Sequence, residues 1–413
     1  MPNFQNISFL CGYFSRDADA DADGADALVA AGWNPVEYSE QTERGYRNFF
    51  YSGFVDFFLR KGPGAPVRKF RKAIESTIAV GEHKATVRSL CLWMMPYGTA
   101  LYSIEVHMES GDLNDFTWLL HVMRDCNRWD REEVQEFLAT AIAPIREAGA
   151  LIGNTDADLV EMGNKLKLFQ IVTAEDFADF GANADFTLFE LGTLGKIGGC
   201  SQNSGDSPSE SYIRRLMEGN KLSFFRNWSG LALLDTFTMM GAGIKPWALE
   251  SWQEDYFGMI YVHTLFCKFY LLKLNARFRE HPEQGEKLEE EYHQFERLYT
   301  FHRISYNFLP QEIDEAMDKS LEITEEITLL RRYIMECNKQ KAAESAGRLD
   351  KILTFLAIVT VFSTIWDFAS LLDAMWPFSQ LAGTAEAGFR FVTSATLLII
   401  ILVIIYILKP SRK

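Results

Sequence analysis

Two long apolar segments near the C-terminus constrain the fold of this chain more than any other feature. The first runs from about Lys351 to Leu372 and the second from about Phe391 to Leu408. Each is long enough to cross the roughly 30 Å hydrocarbon core of a bilayer as a helix, at about 1.5 Å per residue. Backbone polar groups in lipid must be paired within the protein, so both segments are predicted to be helical. We therefore expect a transmembrane hairpin joined by a short link, Asp373–Arg390.

The basic residues around these segments predict their orientation. Arginines and lysines precede the first segment and follow the second, whereas the link between them holds only Arg390. The positive-inside rule then places both termini in the cytoplasm, as in a multi-pass protein of the cell inner membrane. Met1–Leu10 has neither the basic start nor the apolar run of a secretory signal, so we expect the large N-terminal part to be cytoplasmic.

The residues before the hairpin are predicted to form two regions. Residues 1–245 read as an α/β domain with a mixed sheet, and residues 246–350 as a helical pair followed by a stalk helix, with the hairpin in 351–413. The predicted strands are Asn6–Phe14, a pair within Val87–His107 around the turn Pro96–Gly98, Lys165–Thr173, Phe186–Leu191, and two strands within Lys221–Met240 joined at Asn227–Gly230. The predicted helices are Asp130–Gly149 with Asp130 as its cap, Ser209–Glu218, Trp247–Arg279, Gly285–Phe308, and a stalk that begins near Gln311 and enters the first span without a break.

Two short motifs resemble ligand loops only in part. Asp19, Asp21, Asp23 and Gly24 match the first half of a calcium loop, but the twelfth position is Ala30 instead of a glutamate, which favours a solvated acidic loop. Within Gly192–Ser209, Gly195-Lys196 resembles part of a phosphate-binding loop, but Ile197 follows the lysine, which favours a mobile loop.

Composition narrows the classes of function. A net charge of −15 argues against direct nucleic-acid binding, which needs a basic face. The sequence has no His-Glu-x-x-His motif and no Gly-x-Ser-x-Gly near a strand end, so we predict that it is not an enzyme and needs no cofactor. The six cysteines lack metal-ligand spacing and are expected to be small apolar residues in a reducing compartment.

The first apolar segment carries a polar stripe that a simple anchor does not need. At 100° per residue, one arc of about 120° contains a set of hydroxyl and carboxyl side chains and, further inward, leucines. These residues are Thr360, Ser363, Thr364, Asp367 and Ser370, with Leu349, Leu353 and Leu356 toward the cytoplasm. In a ring of subunits this stripe predicts an acidic, hydrated outer pore and an apolar inner constriction. The alternative is an anchor in which Asp367 reaches the headgroups and the hydroxyls bond to their own helix.

This arrangement resembles the CorA-type family of divalent-cation transporters. The resemblance covers about Pro246–Lys413: an acidic helical pair, a long stalk helix running into the first span, a short outer loop and a second span with a basic end. It implies a homo-pentamer in the membrane lipid, a pore lined by the first span, and Mg²⁺ or another divalent cation as the transported ion. Ala374-Met375-Trp376 stands where the family has Gly-Met-Asn, so only the methionine matches and Asp373 or Asp367 becomes the alternative cation filter.

That departure supports a second interpretation. CorA-like proteins without the standard motif serve as membrane effectors of type III CRISPR antiviral defence, opened by a nucleotide second messenger. The resemblance then implies a small nucleotide ligand for the cytoplasmic domain. Arg60, Arg226 and Trp228 are the candidate contacts, in the aromatic-rich stretches Phe49–Phe58 and Phe224–Trp228, and core packing is the alternative for these aromatic residues.

Overall fold

A computed structural model describes residues 3–16, 21–62, 64–154, 164–202 and 207–375. The strands are β1 (Phe4–Ser15), β2 (Asn34–Pro35), β3 (Arg68–Val80), β4 (His83–Met95), β5 (Thr99–Ser110), β6 (Lys167–Ala174), β7 (Lys221–Phe225), β8 (Trp228–Ala232) and β9 (Thr236–Ala242). The helices are α1 (Asp21–Ala30), α2 (Glu40–Phe49), α3 (Ser52–Leu59), α4 (Leu113–Arg124), α5 (Gln135–Phe137), α6 (Ala143–Leu151), α7 (Ala184–Thr193), α8 (Glu210–Asn220), α9 (Pro246–Ser251), α10 (Val262–Glu280), α11 (Gly285–Tyr299), α12 (Phe308–Ser320) and α13 (Ile323–Met375).

The chain divides into two compact units, residues 1–331 and 332–413. The helices from Pro246 to Ser320 and the first turns of α13 belong to the first unit. The region 246–350 that we predicted as a helical pair plus stalk is thus divided at Arg331.

The first unit contains one mixed sheet of nine strands among the described residues, in the order β2-β3-β4-β5-β1-β6-β9-β8-β7. Neighbouring strands are antiparallel except β6 and β9, which run parallel. The long central strand β1 pairs along its length with β5 and with β6. The predicted mixed α/β domain is therefore confirmed.

Helices cover both faces of the sheet. One face packs against α1, α4, α6, α7 and α8 around fully buried residues such as Phe116, Phe137 and Leu188. On the other face, Phe9 of β1 stacks on Phe257 with ring centroids 3.8 Å apart, and Tyr13 stacks on Phe269 at 3.9 Å. The central strand is thus buried on both sides along most of its length.

The aromatic helix predicted at Trp247–Arg279 is one rod on this second face, formed by α9, a π-helical segment (Trp252–Tyr261) and α10. It passes the length and hydropathy test for a membrane span, but 89% of its apolar window is buried. It is a core helix of the first unit.

Several predicted elements are confirmed: the opening strand, the strand pair around Pro96–Gly98, the strand near Lys167 and the helix capped by Ser209. Phe186–Leu191 is helical, not a strand, because Asn183 caps α7 by accepting a hydrogen bond from the Phe186 N–H group. Lys221–Met240 forms the hairpin β7–β8 and most of β9, and its first turn is at Arg226-Asn227. The helix at Asp130–Gly149 begins as a 3₁₀ turn at Glu132, so Asp130 is not its cap, and it includes a π-turn at Leu138–Ile142.

The helices near the C-terminal half also differ from prediction. The helix predicted to reach Phe308 ends at Tyr299. The stalk helix is interrupted at Leu321-Glu322, where Glu322 takes a left-handed conformation with φ 57°. Beyond this turn, α13 is continuous for 53 residues, about 80 Å at 1.5 Å per residue.

The predicted two-helix hairpin is described only for its first half. The segment predicted as the first span lies within α13, which continues past Leu372 to Met375. The second span Phe391–Leu408 and the remainder of the link lie outside the described residues.

Candidate functional site: the exposed stripe of α13 and its attachment

In the described structure, every residue in the membrane-length part of α13 is exposed or partly exposed. Its apolar window is 0% buried, in contrast to that of the core helix. Phe355 is 65% and Trp366 75% exposed. Bare apolar surface of this extent is unfavourable in water, so we expect it to be covered by lipid, by other protein chains or by residues outside the described ranges.

The predicted stripe occupies one side of this helix. Leu349, Leu353 and Leu356 are exposed by 59%, 58% and 52%. Thr360, Ser363, Thr364 and Asp367 continue the same arc and are also exposed. Ser370, Asp373 and Met375 lie in the last turns of α13, but their side chains, and all of Trp376, fall outside the described part of the chain.

Large apolar side chains occupy the opposite side of the helix. Phe355, Ile358 and Phe362 lie about 160–220° around the axis from Thr360 at 100° per residue. Phe355 and Phe362 are exposed by 65% and 48%. The helix therefore separates a polar-and-leucine arc from an aromatic arc, which is the pattern expected where one side meets water and the other meets lipid.

The threonine hydroxyls of the stripe bond to their own helix. Thr360 donates to the carbonyl oxygen of Leu356 and Thr364 to that of Thr360, each at 2.8 Å. Each hydroxyl proton is thereby occupied, and the oxygen keeps its lone pairs for an outside donor or cation. Together with the carboxylate of Asp367, the stripe presents acceptor oxygens, which favour cations over anions.

The first turns of α13 are fixed to the first unit by a buried ion pair. Glu326 accepts from the Lys268 ammonium at 2.9 Å and from the Asn275 Nδ2 at 2.7 Å. The Lys268 side chain is only 3% exposed, and the other carboxylate near it, that of Glu322, is 4.0 Å away. Five residues later on α13, Arg331 donates to Glu296 at 2.7 Å. We call Lys268, Asn275 and Glu326 the clamp.

The clamp was not predicted from the sequence. Lys268 is a basic residue in the middle of the apolar helix α10, which is the pattern of a buried charge that needs a partner. The start of the stalk contains several glutamates, so the sequence alone did not show which of them pairs with Lys268.

The candidate ligand residues do not form a site. Arg60 and Arg226 are exposed, at the end of α3 and at the β7–β8 turn. Trp228 is 6% exposed and packs against Trp252, with centroids 5.2 Å apart, so it is a core residue. In the described part of the chain, no hydrogen bond, ion pair or ring contact joins the three residues. Phe50, Phe54 and Phe57 are likewise buried, in agreement with the core alternative.

The two partial ligand motifs have structural explanations. Asp21–Ala30 is the helix α1, so the acidic run is neither a calcium loop nor a solvated loop from Asp21 onward, and Asp19 lies outside the described residues. In the glycine-rich loop, the N–H groups of Gly198 and Cys200 donate to the buried carboxylate of Glu190 at 2.8 and 2.7 Å. The protein's own carboxylate thus takes the place that a phosphate would need.

Cysteines and acidic residues do not assemble a metal centre in the described ranges, where no group of three potential ligands is close enough to hold an ion. The six cysteines are free, and Cys11, Cys91 and Cys267 are buried as expected. Burial raises the pKa of the Cys11 and Cys267 thiols well above their ordinary value, so both are held as neutral thiols.

Comparison with known proteins gave no relative. No protein-family model matches the chain, and no curated protein or solved structure matches it either. The interpretation of the chain therefore depends on its own residues.

Proposed function

We propose that this protein is an oligomeric cation channel or transporter of the membrane, built on a CorA-like plan, with α13 lining the pore. The observation that carries the proposal is the division of α13 into two arcs, one with leucines, hydroxyls and Asp367 and the other with large apolar side chains. A lone anchor helix gains nothing from Asp367, because a carboxylate within a membrane costs at least about 2.5 kcal/mol.

In this proposal several copies of α13 surround a water path. The hydroxyl oxygens and Asp367 attract cations near one end, and rings of Leu349, Leu353 and Leu356 form the constriction that closes by dewetting. The first unit controls the pore through the clamp, since α13 continues from Glu326 to the stripe as one helix. The transported ion is proposed to be a divalent cation such as Mg²⁺, with Asp367 in the role that the missing asparagine has in the family.

The alternative of a nucleotide-gated effector has less support. It needs a binding pocket, and the three residues suggested for it are not brought together. We retain it as an outcome of the experiment below, in which nucleotides are added to the reconstituted protein.

The test is ion flux through the protein reconstituted in liposomes. The wild-type protein is expected to pass divalent cations, and Asp367→Asn is expected to lower the preference for cations over anions. Asp350→Asn, an acidic residue of α13 about 80° away from Thr360 around the axis, is the matched control and should keep the preference. Absence of flux for every cation, with and without added nucleotides, would remove the proposal. Flux only after nucleotides are added would favour the effector.

A further inference from the structure

A small cavity lies beneath the turn that joins α12 to α13. Its volume is about 20 Å³, enough to hold one water molecule. Asp314 and Asp318 of α12 line it together with His263 and Cys267 of α10, and Ile323 and Ile327 of α13 close one side. The cavity therefore lies where α13 begins, within the first unit.

Asp314 is an unpaired carboxyl group inside the protein. The residue is 6% exposed, and within the described residues it accepts no hydrogen bond and forms no ion pair. Asp318 lies one turn away on the same helix and also has no partner in the described part of the chain. Asp314 is buried and Asp318 is partly buried, and both line the same cavity. Ionising both carboxyl groups there is unfavourable, which favours a proton on one of them.

The groups around the pair do not neutralise it. His263 is buried and its ring nitrogen Nε2 lies 2.9 Å from the carbonyl oxygen of Tyr299. Burial lowers the pKa of His263 to about 4, so the ring is neutral near pH 7. The other ionisable groups are Cys267, a neutral thiol, and Glu315, an exposed acid of the same helix. The π-helical segment and β8, which also pack against α12, contribute no residue to the cavity.

We propose that the Asp314–Asp318 pair is a proton-dependent latch: with its proton bound, the α12–α13 turn stays packed, and loss of the proton to solvent loosens it. The neighbouring backbone favours such a change, because Glu322 is held in the left-handed conformation, which is unfavourable for a residue other than glycine. Leu321, which is 1% exposed, is the side chain that holds the turn in the core.

The direction of the pH dependence follows from the raised pKa values of Asp314 and Asp318. Burial first, and repulsion by neighbouring carboxylates second, raise the pKa of Asp318 to about 6 and that of Asp314 well above its ordinary value. The packed state therefore holds protons that the open state releases from about pH 4 upward. Packing is favoured at low pH and weakens as the pH rises through about 6, by up to about tenfold in the opening equilibrium per pH unit for each proton released.

The experiment is hydrogen exchange of the full-length protein in detergent, followed in peptides that cover 317–331. Each variant is compared with wild type at the same pH, so that the chemical exchange rate cancels. The paired substitution Asp314→Asn and Asp318→Asn keeps the shape of the site but has no carboxyl proton to release. Glu312→Gln, an exposed acid of the same helix, is the matched control. Asp318→Asn alone, at the less buried position, is the second variant in case the pair does not fold.

The latch predicts that exchange in wild type and in Glu312→Gln accelerates from pH 5 to 7 relative to the paired variant. Asp318→Asn should show a weaker rise than wild type. The latch is overturned if the ratio of the wild-type exchange rate to that of the paired variant, or to that of Asp318→Asn, stays the same from pH 5 to 7. A local readout is used because burial also raises the pKa of Asp255 to about 6, so a global unfolding measurement would mix the two carboxyl sites. The result is independent of ion flux, so the latch and the channel can fail separately.

Discussion

The clamp gives the most quantitative prediction of the structure: removing Glu326 should destabilise the first unit more than removing Lys268. In Glu326→Ala the Lys268 ammonium remains in a site with 3% exposure, with Glu322 at 4.0 Å as its nearest carboxylate. An uncompensated buried charge costs about 3–5 kcal/mol. In Lys268→Met the buried charge itself is removed, while Glu326 keeps its bond from Asn275 and some contact with water. The loss is then about 1–3 kcal/mol, that of an unmade hydrogen bond.

The double variant Lys268→Met/Glu326→Ala separates this argument from simple loss of packing. Because it removes both charges, it should be more stable than Glu326→Ala alone. The assay is urea unfolding of the full-length protein in detergent, followed by near-UV circular dichroism. Arg214→Ala, which breaks an exposed pair with Glu210, is the control and should change stability by less than about 1 kcal/mol. If Glu326→Ala costs no more than Lys268→Met, or if the double variant is the least stable, the buried-charge reasoning is wrong.

Two further predictions concern the glycine-rich loop and the pore. Glu190→Ala should lower the free energy of unfolding by about 1–3 kcal/mol, because it leaves the Gly198 and Cys200 N–H groups unpaired. Glu190→Gln should lower it by less. Thermal unfolding measures both variants, and an unchanged stability of Glu190→Ala would refute the role of the carboxylate. Leu353→Ser should increase the resting ion leak in liposomes if the leucines form a dewetting constriction. Phe355→Ser, on the opposite arc, should leave the leak unchanged. Equal leak through both variants would contradict the assigned pore face.

The sequence predicted the sheet domain best where elements had unambiguous patterns. The turn Pro96–Gly98 between two apolar strands and the short helix predicted over Ser209–Glu218 depend on local signals, and the structure contains both elements. Phe186–Leu191 is a short apolar run, and its periodicity does not distinguish a strand from a buried helix. In the structure it is helical, and Asn183 caps that helix.

The features missed were those that depend on long-range contacts. The interruption at Leu321-Glu322 contains no glycine or proline that would predict it. Burial of Leu321 and the clamp at Glu326 fix the turn instead. The pairing of Glu326 with Lys268 joins residues 58 positions apart. The stripe on α13 was predictable because it needs only helical periodicity, which the structure provides as one continuous helix. The surfaces that cover the stripe were not predictable, because helical periodicity does not show what packs against a helix.

The most direct test is the structure of the purified protein in a lipid nanodisc, viewed along the membrane normal. The proposal predicts a closed ring of subunits in which Asp367 and Leu353 face a central water path while Phe355 and Phe362 face lipid. Single protomers, or a packed axis with Asp367 turned toward lipid, would contradict it and would leave a membrane-tethered α/β domain.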